Sequence, residues 1–273
     1  MLSTTFGMIG AGRMATALGS GFVKANLLAP QSIVASDPSA DARAAFSRAV
    51  PGATVVADNQ QVVARAEVVL LAVKPQKMSE ALASIREFVR NEALVLSIAA
   101  GVTLDKLSAG LPSGQRIIRI MPNTPCLIGR GASAYSLGPH ATEADGHLVA
   151  QLLSAVSATF EVPEKQLDVV TGLSGSGPAF VYTMIEALTA GGVAEGMPAV
   201  LAAELAARTV GGAAEMVLQT GETPAALRSQ VTSPGGTTLA GLAVLKERGF
   251  SEAVSEAVRA ATRRSVELGQ LPS

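Results

Sequence analysis

The sequence predicts a two-domain α/β protein, in which a mostly parallel sheet forms the N-terminal part and helices alone form the C-terminal part. Apolar runs of strand length alternate with helical patterns up to about residue 163 and then cease. At 273 residues, the chain is also long for one compact domain. We therefore predict a first domain over residues 1–163 and an all-helical second domain over residues 164–273.

The beginning of the chain indicates the type of sheet domain. The apolar residues 6–9 end at a glycine turn, Gly10-Ala11-Gly12, and a helical pattern follows to about residue 25. A strand, a tight glycine turn and a helix form the dinucleotide-binding fingerprint of a Rossmann-type fold. Gly10 permits the turn, Gly12 lets the backbone approach a pyrophosphate, and Ala15 lets the helix pack close to the strand. A plain β–α turn is the alternative.

Further strands and helices alternate after this fingerprint. The run at 67–73 is almost continuously apolar, as expected of a parallel strand that is buried on both faces. Asp58 and Asn59 predict an N-cap for a short helix. The predicted strands are residues 32–36, 55–56, 67–73, 94–98, 116–121, 132–137 and 159–162, and the predicted helices between them are 60–65, 77–90, 104–107 and 143–157.

Ligands of an open α/β sheet bind beyond the carboxyl ends of its strands. Two such strands end at Val73-Lys74-Pro75 and at the small residues Ala99-Ala100, so we expect both segments to face a cofactor. Lys74 would then contact a phosphate or ribose. The alternative is a lysine that is exposed to solvent and binds nothing. The second strand ends in Ser36 and Asp37, and Arg43 lies in the next helix. An acid there favours NAD, whereas a hydroxyl or basic group tolerates the 2′-phosphate of NADP. Spacing alone therefore leaves the cofactor choice open.

Composition and charge exclude several classes of protein. The chain is 48% hydrophobic and 16% charged, with a net charge of −1 and no long run of either sign, so we predict a soluble globular protein without a nucleic-acid or membrane partner. Cys126 is the single cysteine, so we expect no internal disulfide and no metal site. A first strand that begins by residue 6 leaves no room for a signal peptide, and no apolar run is long enough to span a membrane. A cytoplasmic location is the expectation.

The C-terminal part is predicted to be a helical dimerisation domain. Its segment 198–219 is lined with alanine, and small residues let helices approach closely. A helical part of about 110 residues has limited volume for a core of its own. We therefore expect dimerisation through this part, with a tightly packed monomeric bundle as the alternative. The predicted helices are 164–172, 178–194, 198–219, 223–231, 237–247 and 251–268.

The helical part also carries the residues that point to a reaction. The turns at 172–179 and 232–238 combine glycine with hydroxyl residues at helix starts, where free backbone N–H groups can hold a carboxylate. General acids are scarce, because no His lies beyond residue 147 and no Lys between residues 165 and 246. The helix from Pro178 offers only Tyr182 and Glu186. Ketone reduction usually needs such an acid, whereas an imine that arrives protonated does not, so imine reduction is favoured.

Five motifs lie in order along the chain: Gly10–Ala15, Ala72–Gln76, Arg119–Pro125, Leu173–Ala179 and Val231–Thr238. Together they resemble the pyrroline-5-carboxylate reductases, over essentially the whole chain. The resemblance implies NAD(P)H-dependent reduction of 1-pyrroline-5-carboxylate to L-proline, the last step of proline biosynthesis. It also implies a homodimer through interleaved helical domains, with larger rings, up to a decamer of dimers, as a further option.

The resemblance implies a role for each matching residue. Thr238 would be the catalytic hydroxyl that meets the ring nitrogen of the substrate, and Glu222 is a candidate acidic side chain near it. NADPH is the expected cofactor. NADH is the second candidate, because Asp37 beside Ser36 would repel the 2′-phosphate of NADPH. The implied substrate-binding residues are Ser176, Ser233, Gly235, Gly236, Thr237 and Thr238. The implied cofactor-binding residues are Gly10, Ala11, Gly12, Arg13, Met14, Ala15, Ser36, Asn59, Ala72, Val73, Lys74, Pro75, Ala99, Ala100 and Asn123.

Two other functions are left open by the sequence. A hydroxy acid dehydrogenase would share the two-domain plan, but such enzymes usually place a lysine on the helix after the glycine-rich turn, and residues 178–194 contain none. A non-catalytic, NAD(P)-binding regulatory protein would bind the cofactor without a site for a small carboxylate.

Overall fold

The computed structural model describes residues 1–270 and shows, within that range, one eight-stranded sheet in the order β3-β2-β1-β4-β5-β6-β7-β8. Neighbouring strands run parallel except β6 and β7, which are antiparallel. The predicted α/β class with a mostly parallel sheet is confirmed. The strands are β1 (Phe6–Ile9), β2 (Ile33–Ser36), β3 (Thr54–Val56), β4 (Val68–Leu71), β5 (Leu94–Ser97), β6 (Arg116–Met121), β7 (Gly131–Leu137) and β8 (Ser157–Glu161).

Strand β4, in the middle of the sheet, is apolar at every position because both faces of the sheet are covered there. Along β4, Val68 and Leu70 belong to one buried cluster, while Val69 and Leu71 belong to another on the opposite face. Successive side chains of a strand point to opposite faces, so a strand covered on both sides needs an unbroken apolar run. The first cluster includes residues of α1 and α6, and the second includes residues of α3, α4 and α5.

The helices of the sheet region begin at polar caps that the sequence supplies. Asp58 accepts a hydrogen bond from the backbone N–H of Gln60, as predicted for the start of α3. Thr142 and Asp145 form a capping box at the start of α6. These helices are α1 (Arg13–Lys24), α2 (Ala40–Ala49), α3 (Asn59–Val63), α4 (Met78–Ile85), α5 (Leu104–Gly110), α6 (Glu143–Leu153) and α7 (Leu167–Val170).

Some predicted element ends are wrong by several residues. The helix predicted over 77–90 is α4, which is preceded by a 3-10 turn at Pro75–Lys77 and ends at Ile85. The helix predicted to reach residue 157 ends at Leu153, because Ser157 enters β8 and its hydroxyl donates to the Leu153 carbonyl. Strand pairing and hydroxyl bonds at the helix end therefore decide boundaries that periodicity leaves undefined.

The C-terminal part is helical, as predicted. Pro198 precedes α9, and Gly221 ends it in the left-handed conformation (φ 69°), which glycine adopts without strain. The helices are α8 (Gly177–Ala194), α9 (Ala199–Thr220), α10 (Pro224–Gln230), α11 (Thr237–Glu247) and α12 (Phe250–Gln270). Among residues 1–270, no helix has the length and apolar character that crossing a membrane requires.

Packing divides the chain into two compact units. The sheet unit comprises residues 1–176 together with residues 259–270, and the helical unit comprises Gly177–Val258. Within the sheet unit, the Ser265 hydroxyl donates to Asp168 Oδ1 at 2.7 Å, so the end of α12 packs beside α7. The sequence predicts a domain boundary after residue 163, where strand-forming sequence ends. That boundary stays a prediction.

Candidate active site

The glycine turn after β1 has the geometry that close approach of a phosphate requires. Gly10 has a φ of 98°, and a Cβ there would lie 2.8 Å from the Ala72 carbonyl oxygen, so the position needs glycine. Gly12 is the N-cap of α1, and a Cβ built on it would meet no atom within 4 Å. No side chain caps this helix, so its first N–H groups are not taken up by a capping side chain. The turn can therefore receive an anion.

Ser36 and Asn59 lie at the carboxyl end of β2, where the adenosine ribose of a dinucleotide would be placed. Ser36 is fully buried, and its hydroxyl donates to Asn59 Oδ1 at 2.7 Å. Asn59 Nδ2 in turn donates to Ser84 Oγ at 2.9 Å, and Ser84 donates to the Ala81 carbonyl. The structure thus brings the two predicted residues together, but their polar groups are joined in an internal chain of hydrogen bonds.

A cavity of about 300 Å³ lies at the carboxyl ends of β4, β5 and β6. It collects eight of the predicted cofactor residues from four separate parts of the sequence, as parallel strands bring their ends to one edge of a sheet. Sequence reasoning assigned no cofactor role to its other five lining residues, although each is adjacent to a predicted residue or lies within a quoted motif. The lining residues are Met14, Ala72, Val73, Lys74, Pro75, Ile98, Ala99, Ala100, Met121, Pro122, Asn123, Thr124 and Gly175.

The Asn123 side chain fastens one wall of this cavity. Its Nδ2 donates to the Ser174 carbonyl at 3.1 Å, and its Oδ1 accepts from the backbone N–H of Ala132 at 2.9 Å. A side chain on Gly175 would meet the Met121 methyl group, so the flexible Met121 side chain would have to shift. Asn123 is only 8% exposed. Its amide therefore positions the segment that holds Gly175 against the end of β6.

The stretch at 172–179, which the sequence predicts as an open turn with free N–H groups, is different in the structure. Residues Thr171–Gly175 form one turn of π-helix that follows α7, and the Ser176 N–H donates to the Thr171 carbonyl at 2.8 Å. Ser174 Oγ also donates to the Val170 carbonyl. The open-turn prediction is wrong, because these bonds continue the helix through the glycines. π-Turns inside helices are frequent at functional sites.

The second predicted turn, at 232–238, is a true turn. Gly235 has a φ of 72°, and the Gly236 N–H donates to the Ser233 carbonyl at 3.0 Å. Gly236 is the N-cap of α11, so Thr237 and Thr238 are the first helical residues. Backbone N–H groups in the first turn of a helix have no partner within the helix and attract anions. Thr238 is half-buried, whereas Thr237 is exposed. The predicted substrate residues Ser233–Thr238 thus form one hydroxyl-rich helix start.

The carboxylate of Glu222 is held beside α10. Its Oε2 accepts a hydrogen bond from Gln230 Nε2 at 2.6 Å. This bond fixes the side chain within the helical unit, two residues before α10 begins.

Comparison with known proteins decides the family of the chain. Residues 164–268 match a family described as pyrroline-5-carboxylate reductase dimerisation, and residues 5–101 match NADP oxidoreductase, coenzyme F420-dependent. Pyrroline-5-carboxylate reductase of Glycine max is 45% identical over 97% of this chain and 96% of its own, and that of Synechocystis is 45% identical over 98% and 100%. The chain belongs to the pyrroline-5-carboxylate reductase family.

The fold of this reductase agrees with solved structures of the family. The crystal structure of a pyrroline carboxylate reductase from Plasmodium falciparum with NADP bound superimposes with a TM-score of 0.90. The two chains are 30% identical, and the match covers 99% of this chain and 100% of that one. Relatives of such identity and coverage show the enzyme class, so this protein is an oxidoreductase with the two-part architecture of its family.

The helices of the reductase's helical unit expose much of their apolar surface. Within the single described chain, α8 has no buried residue, although it is rich in apolar side chains. Val181 and Leu188, which are seven residues apart and therefore on one face of the helix, are 41% and 44% exposed. Exposed apolar side chains that share one helix face are typical of a protein–protein interface.

An ion-pair network around the buried Arg119 was not predicted from the sequence. Arg119, in the centre of β6, contacts Glu164 and Asp168, each at 3.2 Å. Glu164 also accepts from the Leu104 N–H at 2.7 Å, and Asp168 accepts from Ser265. An arginine inside an apolar strand was the available signal, because a buried charge must be paired. The network links β6, α5, α7 and α12.

The single cysteine is buried and free. Burial raises the pKa of the Cys126 thiol, so it stays protonated at neutral pH and is a poor nucleophile. Over residues 1–270, no group of three or more His, Cys, Asp or Glu side chains is arranged to hold a metal ion.

Proposed function

We propose that this reductase transfers hydride from NADPH to the imine carbon of 1-pyrroline-5-carboxylate and so forms L-proline. The observation that carries the proposal is the cavity at the strand ends, which joins the cofactor residues of four segments, together with the glycine turn of β1. When bound, the reduced nicotinamide supplies the hydride. The residues present fit such a cofactor, because the glycine turn leaves its helix N-terminus open and the cavity is lined largely by small and apolar side chains.

The glycine turn is assigned to the pyrophosphate. Residues 10–15 would present the backbone N–H groups of α1 to the phosphate oxygens, and the positive end of the helix dipole would favour their charge. Lys74, at the end of β4, would meet a ribose or phosphate, and Ala72, Val73 and Pro75 would line its path. Ser36 and Asn59 are proposed at the adenosine end.

The nicotinamide ring is assigned to the cavity beside Ala99 and Ala100. Methyl side chains leave room for a flat ring against the backbone, and Met14 and Met121 offer adaptable apolar surface. Asn123 acts on this part of the site through the wall it fastens.

The substrate is assigned to the helix start at Ser233–Thr238. Ser176, in the sheet unit, stays a predicted substrate-binding residue. Backbone N–H groups of the turn would bind the carboxylate of the ring, and the Thr238 hydroxyl would orient the ring nitrogen. The imine nitrogen arrives protonated, hydride adds to the carbon of the C=N bond, and the π electron pair of that bond becomes the lone pair of the secondary amine. No side-chain acid is then required, which agrees with the lack of lysine in α8 and argues against a hydroxy acid dehydrogenase. Glu222 remains a candidate for holding the nitrogen's charge.

The helical unit is assigned to a homodimer. The exposed apolar face of α8 and the family described as a dimerisation domain support it. We propose a cytoplasmic enzyme, and the assembly of dimers into larger rings up to a decamer of dimers stays a prediction.

The test is turnover of racemic 1-pyrroline-5-carboxylate, followed as loss of nicotinamide absorbance with NADPH and separately with NADH. We expect faster turnover with NADPH and L-proline as the product. Failure to turn over with either cofactor, while both still bind, would exclude the reaction and favour a non-catalytic binding protein.

A variant of the glycine turn tests the site itself. Gly12→Val adds a side chain to open space, so the fold should be kept while pyrophosphate binding is blocked. Loss of cofactor binding with an unchanged Tm is the expected result, and unchanged binding would remove the turn from the site. Gly10→Val is the contrasting variant, and it should lower the Tm because φ is 98° there.

A further inference from the structure

The choice between NADH and NADPH can be located more narrowly at the end of β2. Ser36 is 0% exposed, and its hydroxyl already donates to Asn59 Oδ1. A hydroxyl has only one proton to donate, so Ser36 has no donor left for a phosphate. Asn59 has one amide proton committed to Ser84. Asp37, which follows Ser36, and Arg43, in α2, are both half-buried and can therefore be reached from solvent.

Asp37 connects the end of β2 to the glycine turn. Its Oδ2 accepts from the Ala11 N–H at 2.9 Å, and its Oδ1 accepts from the Ser39 N–H at 2.9 Å. The carboxylate is thus fixed against the backbone that a cofactor would cross. Each carboxylate oxygen has a further lone pair, so Asp37 can still accept from ribose hydroxyls. Its negative charge opposes a phosphate at the same place.

Arg43 lies beside this carboxylate with its guanidinium held in place. One terminal nitrogen, Nη1, donates to the carbonyls of Asp37 and Pro38 at 2.8 and 3.0 Å. Among residues 1–270, the other three N–H donors of Arg43, on Nε and Nη2, have no acceptor within hydrogen-bond distance. A guanidinium that is positioned in advance and still has free donors suits a phosphate.

We propose that Asp37 and Arg43 together select the cofactor: Asp37 accepts from the free 2′-hydroxyl of NADH, and Arg43 binds the 2′-phosphate of NADPH. The assignment rests on the proposed dinucleotide site. Ser36 and Asn59 form the buried support beneath the pair. The acid and the arginine oppose each other, so removing either one shifts the preference toward the cofactor that the other binds.

The experiment measures KM for NADPH and for NADH, and the cofactor Kd by nicotinamide fluorescence, in the full-length protein. Arg43→Ala should raise KM and Kd for NADPH about ten- to a hundredfold, the usual effect of losing a hydrogen bond to a charged group, with NADH values changed less than about twofold. Asp37→Ser should have the opposite effect and lower KM and Kd for NADPH relative to those for NADH. Arg43→Lys keeps the charge without the fork and should recover part of the NADPH affinity.

Arg48→Ala is the matched control, because Arg48 is an exposed arginine in the last turn of the same helix. Its cofactor constants should equal those of the wild type. Equal weakening of both cofactors by Arg43→Ala, or a larger change of the ratio in Ser36→Ala than in Asp37→Ser, would overturn the assignment. The Kd values decide this even if the protein does not turn over the pyrroline substrate, so failure of the proposed reaction is separately visible.

Discussion

The sheet unit and the helical unit differ in how far their apolar side chains are buried. In the sheet unit, apolar side chains such as Phe46 are fully buried between the sheet and its helices. In the helical unit, α8 is apolar but has no buried residue within the single described chain. The sheet unit therefore supplies its own core, whereas the helical unit leaves apolar surface uncovered in the single described chain, as the proposed homodimer requires.

The largest expected effect is on the core of the sheet unit. Phe46→Ala removes a fully buried aromatic ring from the cluster around β1 and β2 and should cost about 3–5 kcal/mol in the free energy of unfolding, measured by urea denaturation. Phe88→Ala is the control, since Phe88 is 45% exposed and its loss should cost far less. Equal losses for the two variants would contradict the description of a closed core.

The next effect tests the helical unit. Val181→Glu combined with Leu188→Glu places two charges on the exposed apolar face of α8 and should dissociate the dimer, as measured by analytical ultracentrifugation. The expected weakening is at least about 2 kcal/mol, typical of the central residues of an interface. Phe88→Glu makes the same kind of change on the sheet unit and should leave association unchanged. A dimer that survives the double substitution would show that the α8 face is not the interface.

A third prediction separates the role of the Thr238 hydroxyl from the role of the backbone N–H groups at the start of α11. Thr238→Ala should lower kcat/KM about ten- to a thousandfold through loss of one hydroxyl contact, with cofactor Kd unchanged. Thr238→Ser keeps the hydroxyl and should restore much of the rate. Thr237→Ala leaves the backbone N–H in place and should remain within about threefold of wild type. If Thr238→Ala turned over at the wild-type rate, Thr238 would have no part in the mechanism.

The smallest effect concerns the pH dependence of the sheet unit. Burial, and then the neighbouring Glu161 carboxylate at 3.1 Å, raise the pKa of Tyr135. The stability that Tyr135 contributes is fully present below its unfolded pKa of about 10 and is lost as the pH rises through the folded pKa. Wild-type unfolding free energy should therefore fall more steeply above that pH than in Tyr135→Phe. Parallel curves for the two proteins would assign the alkaline loss to other groups.

The strands were predictable because burial on both faces leaves a signal in the sequence. The runs 94–98 and 116–121 were placed to within a residue, since a strand covered by helices on both sides is mostly apolar. Most helix starts were also predictable, because Asp58 and similar caps act on backbone groups two or three residues away.

The π-turn at Thr171–Gly175 was not predictable by the same reasoning. Glycine and serine in that stretch indicate a loop when only local propensity is considered. In the structure, Asn123 binds the Ser174 carbonyl from 51 residues away and helps to hold the turn against β6. The network of Arg119 likewise depends on Ser265, which is 97 residues from its partner Asp168.

The sequence by itself determined the α/β class, the glycine turn and its helix, the order of the strands along the chain and the family. These features follow from periodicity and from residue types that act over a few neighbouring positions. Only the tertiary structure decided that Ser36 donates inward, that Asp37 reaches back to the Ala11 amide, and that the end of α12 packs in the sheet unit. Those outcomes depend on which hydrogen-bonding groups come together after folding. The positions of these groups along the chain do not specify which of them will pair.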